Sequence, residues 1–78
     1  MKEILEKRIQ DLGITPYEVA KRVAESRGKE KATDVSATVN NVLKSPERRR
    51  YDTLAEVIKA LGGDIIIRWH SVEENVIT

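Results

Sequence analysis

Apolar side chains recur at helical intervals as far as Leu61 and then give way to an unbroken β-branched run. Ile4, Leu5, Ile9 and Leu12 fall on one face of a first helix, with Lys, Glu, Arg and Gln between them. Gly13 fits the left-handed cap that ends it. A second helix opens at Thr15 as N-cap with Pro16 in its first turn, where the missing N–H costs nothing. Val19, Ala20, Val23 and Ala24 form its apolar side, and it is expected to stop near Gly28. Residues 25–34 have no apolar periodicity and are expected to form a long loop. Thr33 or Asp34 then caps a third helix whose buried side is Val35, Val39, Val42 and Leu43. Ser45-Pro46 breaks the chain. A fourth helix, capped by Asp52, carries Leu54, Val57, Ile58 and Leu61 at i, i+3, i+4 and i+7, and Gly62-Gly63 ends it. Ile65-Ile66-Ile67-Arg68-Trp69-His70 changes period and predicts a strand, with Glu73-Glu74-Asn75 turning into a short return, Val76-Ile77.

Composition narrows the class. The chain has 78 residues, 40% hydrophobic and 35% charged, which suits one small globular domain and not a disordered segment. There is no Phe, so Ile, Leu, Val and Ala must build the core, and a core this small gains from dimerisation. The absence of cysteine removes any disulfide framework or thiolate metal site. Charges interrupt every apolar pair at the N-terminus, so neither a signal peptide nor a membrane span is expected, and the expected address is cytoplasmic. One His, no Cys and scattered carboxylates provide no nucleophile–base pair, no metal cluster and no phosphate-cradling loop, and no cofactor is expected. The reading is that of a protein that is not an enzyme.

Charge distribution says more than the net value of +1. Residues 27–51 carry seven cations and three anions, whereas residues 52–78 carry two cations and five anions. The basic segment contains the third helix and the Arg48-Arg49-Arg50 run, which suits a polyanion. An α-helix fits the major groove of B-DNA, where short polar side chains read base edges. Ser36, Ala37, Thr38, Asn40 and Asn41 lie off the apolar side of the third helix. Asn pairs bidentately with adenine, hydroxyls reach bases or phosphates, and Ala37 or the Thr38 methyl can touch thymine. Lys44, Arg48, Arg49 and Arg50 follow immediately and can clamp phosphates, releasing counterions. Thr15, Lys21, Arg27, Lys29 and Lys31 are further candidates for phosphate contacts, and Arg22 can add a weaker one.

Three segments carry a family resemblance: Thr15-Pro-Tyr-Glu-Val-Ala-Lys-Arg-Val23, Thr38-Val39-Asn40-Asn41-Val42, and Asp52-Thr-Leu-Ala-Glu-Val-Ile-Lys-Ala-Leu-Gly62. In this order they resemble the XRE, or lambda-repressor-like, helix-turn-helix family, which includes phage repressors, Cro proteins and antitoxins. Ala20 matches the small residue that lets the two helices approach, and Val39 matches the apolar position of the recognition helix. Pro16 departs from the polar residue that family members use there to bind a phosphate. The resemblance implies a mainly α, compact four- to five-helix domain over residues 1–63. Residues 64–78 add a C-terminal β-strand or short hairpin.

A lone strand leaves its backbone unpaired, so the tail must pair with its own return segment, with the N-terminus, or with a second copy. Pairing across a dimer suits two-fold symmetric operators. Ile65, Ile67 and Trp69 would share one face of that interface or pack on the helices. Trp69 is expected to be a packing residue, and His70 a surface or interface residue. The function implied is a sequence-specific DNA-binding transcriptional regulator, partnered by double-stranded DNA and a second copy. The alternatives are the antitoxin of a toxin–antitoxin pair, or a protein-interaction module that does not bind DNA.

Overall fold

The computed structural model describes residues 1–28, 31–70 and 74–78. Four α-helices and a two-stranded hairpin follow in chain order: α1 (Lys2–Leu12), α2 (Pro16–Arg27), α3 (Ala32–Lys44), a 3-10 turn (Pro46–Arg48), α4 (Tyr51–Ala60), β1 (Ile66–Arg68) and β2 (Glu74–Val76). The fold is mainly helical with a C-terminal antiparallel hairpin. Among the described residues, no helix is long and apolar enough to cross a membrane.

Local chemistry explains the helix ends. Gly13 is left-handed at φ 67°, and its N–H donates to the Gln10 carbonyl at 3.0 Å. Thr15 Oγ1 accepts from the Glu18 N–H at 3.3 Å, and Pro16 occupies the first helical position. Three expectations are corrected. Residues 25–27 belong to α2 and residues 32–34 to α3, so the interval between these helices is 28–31, far shorter than the expected loop. The α3 N-cap is Lys31; neither Thr33 nor Asp34 serves. Asp34, in the first turn, reaches back to accept from the Lys31 N–H at 3.2 Å. In α4 the N-cap is Arg50, and Asp52 lies inside the first turn, where a carboxylate opposes the positive end of the helix dipole.

The core is one cluster. Val19, Ala20, Val23 and Ala24 of α2 and Val35, Val39, Val42 and Leu43 of α3 are joined by Leu54 and Val57 of α4, by Leu61, and by Leu5 of α1. The packing of α2 on α3 is the most extensive between any two elements, which the small Ala20 and Ala24 permit. Ile9, Leu12, Ile14, Ile58 and Ile65 pack on its margin. Ile4, expected on the same face as Leu5, is instead 71% exposed. No aromatic ring enters the core: Tyr17, Tyr51 and Trp69 are all exposed.

Arginines lock the end of α4. Arg8 of α1 donates from Nε to the Leu61 carbonyl at 2.9 Å, and Arg22 of α2 donates from Nη1 to the Ala60 carbonyl at 3.2 Å. They satisfy carbonyls that a helix C-terminus otherwise leaves to water. Gly62 then turns the chain at φ 78°.

The tail pairs with its own return strand: Ile66 faces Val76, Ile67 faces Asn75 and Arg68 faces Glu74. The Ile77 N–H extends the ladder to the Ile65 carbonyl at 3.0 Å, and the Tyr51 hydroxyl donates to the Ile77 carbonyl, tying the hairpin to α4. Glu74 and Asn75 are therefore strand residues and not a turn; Glu73 lies outside the described residues. The helices bury Ile65 only in part and leave both strands exposed. The radius of gyration, 13.0 Å, exceeds the roughly 11.5 Å of a compact chain this long.

Candidate nucleic-acid interface

α3 presents three strips. Val35, Val39, Val42 and Leu43 are buried. Ala37, Asn40 and Lys44, at i, i+3 and i+7, form an exposed strip opposite the core and turned toward the Ser36 side. Thr38 and Asn41, at i and i+3, form an exposed flank beside it. Ser36 and Thr38 are two residues apart, hence about 200° apart around the helix, so Ser36 lies on the opposite flank. It is half-buried, and its hydroxyl donates to the Thr33 carbonyl at 3.3 Å.

The arginine run is held in place by the turn that precedes it. Pro46 is fully buried and anchors the 3-10 turn, closed by the Arg48 N–H on the Ser45 carbonyl at 3.1 Å and the Arg49 N–H on the Pro46 carbonyl at 3.2 Å. Arg49 Nε donates to the Ser45 carbonyl at 3.3 Å, which fixes its guanidinium at the end of α3 and leaves its remaining N–H groups for other acceptors. Arg50 is the N-cap of α4 and supplies no side-chain cap to its first turn. Thr38, Asn41, Arg48, Arg49, Arg50 and Thr53 together line one depression of about 220 Å³. That is smaller than the 300–1,000 Å³, roughly, of a site for a drug-sized ligand.

No carboxylate among the described residues pairs with Arg48, Arg49 or Arg50. Glu47, their nearest acid upstream, pairs instead with the Met1 amino group at 3.1 Å. Its carboxyl is held below the usual value by its own backbone N–H and by that amine. The other candidates are dispersed. Arg27 donates from Nε and Nη2 to the two carboxylate oxygens of Glu56, at 2.8 and 2.7 Å, joining α2 to α4. Those hydrogen bonds lower the Glu56 pKa against the opposing effect of burial. Arg22 is held by Ala60 and lies 3.7 Å from Glu18. Thr15 caps α2 and keeps its own O–H proton to donate, while Lys21, Lys31 and Lys44 are exposed. Lys29 lies outside the described residues. None of these lines the depression.

Thr53 escapes a reading of the sequence alone. Its signal is only its place in the first turn of α4, three residues beyond Arg50, which becomes informative once the helix start is known.

The hairpin exposes Ile66, Ile67, Trp69, Val76 and Ile77. Ile65 and Ile67 alternate onto one face with Ile77 and Asn75 opposite, whereas Trp69 is 54% exposed and outside the core. Arg68 is paired with Glu74 across the strands. Among the described residues no cluster of three or more His, Cys, Asp or Glu side chains is disposed to hold a metal ion. Compared with protein-family models, with curated proteins and with solved structures, the chain matches none.

Proposed function

We propose that this chain is a sequence-specific DNA-binding transcriptional regulator of the lambda-repressor-like helix-turn-helix type, acting as a cytoplasmic homodimer. α2 and α3 are its paired helices, α3 enters the major groove, and the arginine run grips phosphates beside it. One observation carries the reading: three arginines without carboxylate partners among the described residues share a single depression with polar residues of α3. Cations left unpaired beside an exposed helix are what a polyanion partner requires. The exposed apolar hairpin supports the dimer, because an isolated two-stranded ribbon is marginal in water and gains from apolar cover. The same hairpin favours a second reading, an antitoxin that covers it with a toxin while binding its own operator.

The test is retention of a duplex DNA pool across a salt series. Log affinity should fall linearly with log salt, and selection from the pool should enrich two-fold symmetric sites. A protein that retains no duplex at low salt is an interaction module and not a regulator of this type.

A further inference from the structure

Thr38 and Asn41 are natural candidates for reading bases, yet they line the depression with Arg48, Arg49, Arg50 and Thr53, whereas Ala37, Asn40 and Lys44 are exposed on the neighbouring strip and line no part of it. A helix in a groove turns one strip to the base edges, and the side that carries its clustered cations meets the groove wall, which is made of phosphates. We infer that the depression is a seat for a single phosphate group, with Thr38 and Asn41 as its neutral donors, and that base preference rests on Ala37, Asn40 and Lys44.

The chemistry of the lining fits that ligand. Three guanidiniums supply charge and paired donors, and two hydroxyls with one carboxamide supply further N–H and O–H groups. The Arg49 tether to Ser45 holds one guanidinium at the end of α3, so the seat is partly formed before a ligand arrives. No carboxylate is among the lining residues to repel the anion.

This assignment rests on the DNA-binding reading for its phosphodiester and on geometry alone for its anion, so two measurements separate them. In the first, inorganic phosphate is titrated into the full chain and followed by amide NMR. The Asn41 side-chain amide and the Thr38 and Thr53 backbone amides should shift together and saturate, and R48A/R50A should abolish the response. No saturable shift at these residues overturns the seat, whatever the chain does with DNA. In the second, N41A and N40A, both at exposed positions, are compared with the parent in selection from random duplexes. N41A should weaken every sequence by the same factor, roughly tenfold to a hundredfold for removal of one charge-assisted hydrogen bond, with the selected consensus unchanged. N40A should alter preference at one step. A changed consensus for N41A overturns the assignment while leaving DNA binding intact. Phosphate shifts without retention of any duplex sink the DNA reading and leave the seat standing.

Discussion

The described cations of residues 27–51 differ in the partners they find. Arg27 is committed to Glu56, whereas Arg48 and Arg50 face no acid among the described residues. Arg48 and Arg50 replaced together by Ala should therefore reduce the steepness of the log affinity–log salt line by about 1.8, near 0.9 for each phosphate no longer neutralised. Arg27→Ala should leave that slope alone and lower stability. The Glu56 carboxyl has a lowered pKa in the fold, so its pairing contributes above the unfolded value near 4.5 and is lost as pH falls through the folded value. Glu56→Gln should cost on the order of 0.5–1 kcal/mol at pH 7, a figure reduced for solvent screening because the pair is about one-third exposed. Urea midpoints of parent and variant should converge below pH 4; a difference that persists there would assign it to packing. Sequence identified the cations but not their partners, because Arg27 and Glu56 are 29 positions apart and meet only when α2 packs on α4.

Helix interiors were legible where burial imposes a period, and the ends at Gly13, Thr15 and Gly28 from their capping residues, whereas the starts of α3 and α4 were not. Val19 to Ala24 and Val35 to Leu43 are buried as their spacing demands. Residues 25–27 and 32–34 are helical without an apolar signal, because a terminal turn adds its hydrogen bonds at little cost once the helix is nucleated. Val39→Ala, removing two methyl groups from a fully buried site, should cost about 2–3 kcal/mol. That would be a large share of the 4–12 kcal/mol, roughly, expected of a chain this size. Gly62→Ala should cost about 1–2 kcal/mol for its left-handed backbone, and the added methyl would also approach Arg8 Nη2 at 3.2 Å. Thermal melts followed by far-UV circular dichroism check both, and a neutral Gly62→Ala would show that the turn relaxes. The capping of α4 by Arg8 and Arg22 left no trace in the pattern, since any charged residue on an exposed face looks alike in sequence.

At the scale of the molecule, the arginine depression lies between α3 and α4, while the exposed apolar cluster Ile66, Ile67, Trp69, Val76 and Ile77 lies on and beside the hairpin. Pairing of the tail within the chain leaves two strand edges open, and open edges bind other strands. Sedimentation equilibrium should show a concentration-dependent dimer that Ile67→Lys dissociates without lowering helicity. A dimer indifferent to that substitution would move the interface off the hairpin. The switch from helix to strand at Gly62-Gly63 was legible from the change of period, but the choice of strand partner was not. Pairing within and between chains satisfies the same backbone groups.

Because every aromatic ring stands outside the core, the aromatic signals of this protein report little of its folding. Trp69 is 54% exposed, so unfolding in urea should shift its emission little while ellipticity collapses. Raising the concentration until copies meet at the hairpin should blue-shift that same emission with no gain in helix.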